Sequence, residues 1–198
     1  MLRRTVIVAA GAFAATHALA QSASNPRVVM VTGQGPITLE LAADRAPITT
    51  ANFLNYADHH RFDGSTFYRA ARTPHDETHG TIEGGLQMDP ARILPPIAHE
   101  STTQTGLKHV DGTISMGRYA PGTATADFFI CSGPAPYLDA HPGAAGDNAG
   151  YAAFGHVVEG MDVVRAILAL PTNGVARSPA MQGQMLSPPV PIISVKRV

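Results

Sequence analysis

The sequence predicts a mainly β protein built on a closed or nearly closed antiparallel sheet, with two helices. Many short segments alternate apolar and polar residues, or are rich in β-branched and aromatic residues, and Gly- and Pro-rich stretches separate them. Only two segments carry apolar residues at helical spacing. A closed sheet is favoured because closure removes the exposed strand edges that promote aggregation.

The strands and helices follow one another along the chain in an order that supports this fold. Residues 28–32 and 37–41 predict a hairpin, and Pro47 suits the first turn of a helix whose apolar residues recur between Thr50 and Ala57. A second helix is predicted over 161–170. Further strands are predicted at 66–69, 82–86, 112–116, 127–132, 153–158 and 192–198, and long surface loops at 135–150 and 172–191.

Composition limits the classes of function. A length of 198 residues suits one domain, and 44% hydrophobic with 15% charged residues is typical of a folded protein. With 14 Lys and Arg residues and a formal net charge of −1, the chain has no basic stripe for phosphates, so no nucleic-acid partner is expected. The single cysteine, Cys131, follows Phe128-Phe129-Ile130 and is expected to be a buried, unreactive thiol.

Residues 1–20 have the features of a signal peptide. Arg3-Arg4 precede an apolar segment over 6–15, and Ala18-Leu19-Ala20 places small residues at the positions that signal peptidase recognises. The apolar segment is shorter than the roughly 20 residues that a transmembrane anchor needs. We therefore expect cleavage after residue 20, no stable membrane anchor in the mature protein of residues 21–198, and a periplasmic or secreted, monomeric product.

Three pairs of motifs occur in a fixed order. They are Phe67-Tyr68-Arg69 with Ile82-Glu83-Gly84-Gly85, then residues 112–118 (GTISMGR) with 123–130 (TATADFFI), then Tyr137-Leu138-Asp139 with 151–161 (YAAFGHVVEGM). Together they resemble the cyclophilins, a family of peptidyl-prolyl cis-trans isomerases, and especially their bacterial periplasmic branch. The resemblance covers about residues 28–170.

The resemblance implies an eight-stranded antiparallel β-barrel capped by two α-helices, with a groove for proline-containing peptides on its outer face. Isomerisation needs no cofactor, because the amide bond rotates and no bond breaks. The resonance barrier is about 18–20 kcal/mol, and a donor that favours the twisted prolyl nitrogen lowers it. Arg69 matches the family's catalytic arginine, and a guanidinium offers five donors at a permanent positive charge.

The resemblance also implies the residues that contact substrate. Phe129 matches the floor of the proline pocket and Leu138 its wall, while Gly117 and Arg118 match a strand end that binds substrate backbone. Because Phe128 and Phe129 are adjacent in a strand, one faces the barrel interior and the other faces outward. The full expected substrate-binding set is Thr81, Glu83, Gly117, Arg118, Asp127, Phe129, Tyr137, Leu138 and Tyr151.

The chain departs from the family at four positions that bear on activity. Glu83 and Asp127 stand where the family has glutamines, and Gly80-Thr81 replaces an apolar Phe-Met pair. Glu83 could pair with Arg69, either holding it still or diverting its donors from the substrate. We therefore expect lower activity or an altered substrate preference.

Three other hypotheses remain beside an active isomerase. The first is a catalytically weak or silent binding module on the same barrel, and the second is a small-ligand carrier with a hollow barrel like the lipocalins. Bulky residues such as Phe53, Phe67 and Phe154 argue against a hollow interior. The third is a metal site at His75 and His79, but the flanking Pro and Gly indicate a polar loop, so no metal is expected.

Overall fold

The predicted alternation of apolar and polar residues produces a barrel whose interior is filled by the inward-facing apolar side chains. The computed structural model describes residues 25–176 and 178–198, so the predicted signal peptide lies outside the described residues. The strands are β1 (Arg27–Thr32), β2 (Gly35–Leu41), β3 (Ser65–Thr73), β4 (Asp76–Gly85), β5 (Thr113–Met116), β6 (Phe128–Ser132), β7 (Ala152–Glu159) and β8 (Met185–Arg197). They close an antiparallel barrel in the order β1-β2-β7-β5-β6-β4-β3-β8.

Two helices cap the barrel and a third is a single turn. These are α1 (Pro47–Asp58), α2 (Thr102–Thr105) and α3 (Met161–Leu168). As expected, α1 begins at Pro47, whose missing N–H costs nothing in a first turn. The helix α2 was not predicted, although the backbone N–H of Ser101 donates to the Gln104 side chain in a pattern typical of a helix start. Among the described residues no helix is long and apolar enough to cross a membrane.

Aromatic rings fill the barrel interior. The ring of Phe128 meets those of Phe53, Phe62 and Phe67 edge-on, at centroid distances of 5.5, 5.6 and 5.8 Å. All four side chains are essentially inaccessible to solvent, and so is Phe154. The expectation of a filled interior is confirmed, and the hollow barrel of a small-ligand carrier is not found.

The prediction of a loop over 172–191 is wrong in its last third, because β8 begins at Met185. Pro188 and Pro189 hid this strand from a pattern-based prediction, since proline cannot donate to a strand ladder. In the structure both prolines lie between the paired residues Met185 and Val190, where the register between β3 and β8 shifts. The strand tolerates them there because no ladder hydrogen bond is required of them.

The prediction of a loop at 75–79 is also wrong, because β3 and β4 extend into a long hairpin with Thr73 opposite Asp76. Gly80 permits this extension. Its φ of 151° lies outside the range that L side chains favour, and a Cβ at this position would overlap the carbonyl oxygen of Ala71.

Replacing Phe128 by alanine should lower the free energy of unfolding by about 3–5 kcal/mol, because the cavity is surrounded by rings that cannot collapse into it. Urea denaturation monitored by circular dichroism measures the change. The half-exposed Ile193 on β8 is the matched control, and Ile193→Ala should change stability by less than about 0.5 kcal/mol. Equal effects of the two substitutions would contradict the packing described here.

Candidate active site

Strand register places the candidate residues in one row across the barrel wall. Arg69 of β3 pairs with Glu83 of β4, Glu83 pairs with Phe129 of β6, and Phe129 pairs with Ser115 of β5. Residues directly opposite one another in a sheet project from the same face. The row therefore leads from a cation through a carboxylate to an aromatic ring. Phe128, the neighbour of Phe129, points into the barrel, which confirms the expected division between the two faces.

A β-bulge in β3 brings Tyr68 to the same side as Arg69. Adjacent strand residues normally point to opposite faces, but the register shifts between Phe67 and Arg69 toward both neighbouring strands. As a result Tyr68 and Arg69 both line one cavity. Tyr68 is not predictable as a site residue from the sequence, because a bulge leaves no mark on the alternation of apolar and polar residues.

This cavity, of about 710 Å³, contains every residue that the sequence analysis proposed for the site. They are Arg69, Thr81, Glu83, Gly117, Arg118, Asp127, Phe129, Tyr137, Leu138 and Tyr151. Strands β3, β4 and β6 supply its base, and the segment after β5 together with a 3₁₀ turn at Pro136–Leu138 supplies its rim. Tyr137 stands at this rim with 66% of its surface exposed.

Phe129 forms the apolar floor of the cavity and is held by two rings. The His109 ring stacks on it with a centroid distance of 5.9 Å and an interplanar angle of 18°. The Tyr151 ring meets it edge-on at 5.3 Å. Leu138 packs on the same small cluster, which is separate from the barrel core. The arrangement is an apolar notch with rigid walls.

Arg69 is fixed by two side chains from distant parts of the sequence. Its Nη1 donates to Oε2 of Glu83 at 2.8 Å, so the expected pairing with Glu83 is present. Its Nε and Nη2 both donate to Oε1 of Gln184, at 2.8 and 2.6 Å. The Arg69 side chain is 25% exposed and that of Glu83 is 16% exposed. The guanidinium is therefore held against the cavity wall while part of its surface stays open.

Glu83 also affects Tyr68. Burial, and then the negative charge of Glu83, raise the pKa of the Tyr68 hydroxyl far above its usual value. Tyr68 therefore stays protonated at every physiological pH and can only act as a neutral hydrogen-bonding group.

Asp127 and Gly117 take part in backbone contacts at the edge of the cavity. Oδ1 of Asp127 accepts a hydrogen bond from the backbone N–H of Gln87 at 2.7 Å. The backbone N–H of Gly117 donates to the carbonyl oxygen of Asp127 at 2.8 Å. The strand β5 ends at Met116, so Gly117 lies just beyond the strand and its N–H is already bonded within the protein.

The Arg118 side chain supports a loop and does not project into the cavity as an open donor group. Its guanidinium pairs with Asp147 at 2.6 Å and bonds the carbonyl oxygen of Gly150, and it lies 5.1 Å from the centre of the Tyr151 ring. Only 4% of the side chain is exposed. The bond to Arg118 lowers the pKa of Asp147. The expected contact with substrate backbone could therefore come only from the main chain of Arg118.

A buried hydrogen-bonded chain lies beneath the floor of the notch. Nδ1 of His109 contacts Oδ1 of Asp139 at 2.8 Å, and Nε2 contacts Oγ of Ser115 at 2.9 Å. The order of groups is that of a serine hydrolase triad, but Ser115 is fully buried and lacks the exposed turn on which such nucleophiles stand. The chain therefore supports the stacked pair of His109 and Phe129 and is closed to substrate.

Several cavity residues were not identified from the sequence. Besides Tyr68 they include Met181 and Met185, which belong to the segment that was predicted to be a surface loop. Gln184 of the same segment does not line the cavity itself, but its side chain contacts Arg69. No local sequence pattern predicts the contact between Gln184 and Arg69, because 115 positions of the chain separate the two residues. Cys131, by contrast, is buried as expected, and burial raises the pKa of its thiol to about 12.

No cluster of three or more metal-ligating side chains occurs among the described residues. At the tip of the β3–β4 hairpin, Nδ1 of His79 contacts the Asp76 carboxylate instead. Hydrogen bonds from Thr78 and His79 lower the pKa of Asp76 to about 2.

Stability should fall as the pH decreases below about 6.5, because burial lowers the pKa of His109 from that value despite the opposing effect of Asp139. Between the two pKa values the unfolded chain binds more protons than the folded one, so the contribution of His109 is full above pH 6.5 and is lost on acidification. Thermal unfolding from pH 7.5 to 5 measures the slope.

His109→Gln should flatten this slope, whereas His156→Gln, at an exposed histidine of β7, should leave it unchanged. An unaltered slope in the His109 variant would show that another group titrates. Should that variant fold poorly, a ring titration of His109 by NMR answers the same question.

Comparisons with known proteins agree with the geometry. Residues 27–197 match the family described as cyclophilin type peptidyl-prolyl cis-trans isomerase/CLD. A peptidyl-prolyl cis-trans isomerase of Acinetobacter baylyi is 36% identical over 200 residues, which cover 99% of this chain and 96% of that protein. Peptidyl-prolyl cis-trans isomerase B of Escherichia coli is 34% identical over 147 residues, 74% of this chain and 86% of that protein.

Among solved structures, the fold is similar to that of a cyclophilin type peptidyl-prolyl cis-trans isomerase from Cryptosporidium parvum, crystallised in the presence of the dipeptide Ala-Pro. The TM-score is 0.66 at 19% identity, over 86% of this chain and 97% of that one. With the family match, the full-length relative and the barrel in agreement, the chain belongs to the cyclophilin-type peptidyl-prolyl cis-trans isomerases.

Proposed function

We propose that this protein accelerates rotation about X-Pro amide bonds in exported polypeptides, with Arg69 as the catalytic residue. The observation that carries the proposal is that the Arg69 guanidinium and the apolar notch of Phe129, Leu138 and Tyr151 line one cavity. A proline ring bound in the notch would lie beside the Arg69 guanidinium. This is the kind of group that the rotation requires, a hydrogen-bond donor of fixed charge.

The chemical step is a rotation. In the planar amide the nitrogen lone pair is delocalised into the carbonyl, and in the twisted state it returns to the nitrogen. A donor N–H of Arg69 favours the twisted state because it can bond the lone pair only there, which is stabilisation specific to the transition state. The partly enclosed cavity strengthens that interaction by limiting competition from water.

The substrate groove is expected to accept a proline ring and discriminate weakly around it. The floor and walls of the notch are apolar, but Thr81, which also lines the cavity, is a small polar residue where the resemblance implies a larger apolar one. Less apolar contact means weaker ground-state binding. This fits a catalyst that acts on many unfolded chains and holds none of them tightly.

A second candidate function is a binding module with little catalysis, and one contact favours it. The 2.8 Å bond between Arg69 and Glu83 occupies one donor and offsets the positive charge that the twisted nitrogen needs. In such a module proline peptides would still bind in the notch, but their isomerisation rates would be unchanged.

Arg69→Ala should reduce kcat/KM for an Ala-Pro peptide by about 100-fold, which is the usual effect of removing one transition-state donor. Exchange NMR on the peptide measures the rate. Arg165→Ala is the matched control, because Arg165 is exposed on α3 and pairs only with Asp111 among the described residues. Equal isomerisation rates for the wild type and Arg69→Ala, with peptide binding retained, would contradict the proposed catalytic role and favour the binding module.

We further propose that residues 1–20 direct export to the periplasm and are then removed. In a Gram-negative host the mature protein should begin at Gln21, as intact-mass spectrometry of a periplasmic extract would show. Ala20→Phe should block cleavage, because signal peptidase requires a small residue at that position. A mature protein that still begins at Met1 and stays in the cytoplasm would contradict the proposal.

A further inference from the structure

We propose that Gln184 is a positioning residue for Arg69: its side-chain amide occupies one edge of the guanidinium and so restricts Glu83 to a single contact, which keeps the remaining donors available to substrate. The inference rests on the proposed role of Arg69 in catalysis. Gln184 lies outside the motifs from which the family was identified, immediately before β8.

The contacts divide the guanidinium between a neutral and a charged partner. Oε1 of Gln184 accepts from Nε at 2.8 Å and from Nη2 at 2.6 Å, whereas Oε2 of Glu83 accepts only from Nη1, at 2.8 Å. A guanidinium has five N–H donors, and these contacts engage three of them. The edge formed by Nε and Nη2 is one that a carboxylate can grip with both oxygens, and here an amide oxygen fills it.

The chemistry of the amide matters because Glu83 is already present. A carboxylate bound through two parallel hydrogen bonds would neutralise the guanidinium more completely than the single contact observed. Both side chains are largely withdrawn from solvent, so water provides little screening of this pairing. A neutral acceptor at the edge fixes the plane of the guanidinium without adding a second negative charge.

Gln184 is itself held in one orientation. Its Nε2 donates to the carbonyl oxygen of Ala180 at 3.3 Å, which fixes the oxygen of the amide toward Arg69. The backbone N–H of Gln184 donates to the carbonyl oxygen of Met181 at 3.0 Å, and its own carbonyl oxygen accepts from the N–H of Ala70 at 2.8 Å. The residue next to Arg69 in β3 is thus tied to the main chain of Gln184, while Arg69 is tied to its side chain.

The main-chain bonds make a clean test possible, because they do not depend on the side chain. Gln184→Met keeps the length and the backbone contacts but removes the acceptor. The experiment measures kcat/KM for an Ala-Pro peptide, together with peptide affinity, for Gln184→Met in the wild-type protein and in the Glu83→Gln variant. The matched control is Gln182→Met, since Gln182 is an exposed glutamine of the same segment.

In the wild-type background Gln184→Met should lower the catalysed rate about tenfold, with peptide affinity changed less than twofold, because Glu83 then takes the vacated edge. In the Glu83→Gln background the same substitution should cost about twofold or less, because no carboxylate can move in. Gln182→Met should leave the rate unchanged in both backgrounds. The Nε–H signal of Arg69 should stay protected from solvent exchange in Gln184→Met, because Glu83 then covers it, and should lose that protection when Gln184→Met is combined with Glu83→Gln.

Two results would overturn the inference. Equal losses in the two backgrounds would show that Gln184 only supports its loop, and an unchanged rate with a protected Nε–H signal would show that Glu83 alone positions the arginine. Failure of the proposed function is distinguishable from both, since the wild-type protein would then match Arg69→Ala before any change at Gln184.

Discussion

The register of four neighbouring strands is the constraint on which the site depends. It sets Arg69, Glu83, Phe129 and Ser115 side by side on the outer face of the barrel. A slip of one residue in β6 would exchange the two phenylalanines, burying the ring of the notch and exposing the ring of the core. The packing of Phe128 among the interior rings opposes such a slip, so the core fixes the site.

The balance of charge around the Arg69 guanidinium is the second feature on which the site depends. Where the resemblance implies amides, this chain has acids at positions 83 and 127, and the amide that contacts Arg69 is that of Gln184, just before β8. Arg69 therefore works beside a carboxylate rather than in a neutral environment. The strength of Arg69 as a hydrogen-bond donor depends on which of its N–H groups bind Glu83 and which bind Gln184. The positions of these side chains therefore matter as much as their residue types.

Much of this arrangement could be predicted from the sequence. The first hairpin, the start of α1, the opposite orientations of Phe128 and Phe129, and the contact between Arg69 and Glu83 all follow from local patterns or from motif resemblance. Tyr68 and Gln184 could not be found in this way. Tyr68 is exposed to the cavity by a bulge, and Gln184 immediately precedes a strand whose prolines resemble those of a loop.

The separation of Arg69 and Gln184 along the chain has a consequence for biogenesis. The strand β8, which follows Gln184, pairs with both β1 and β3, so it closes the ring, and among the eight strands it is the last in chain order. Until it docks, the arginine has Glu83 beside it but no amide at its other edge. A chain whose last strand has not yet docked therefore lacks the full set of contacts around Arg69, and the proposed site is complete only when the barrel has closed.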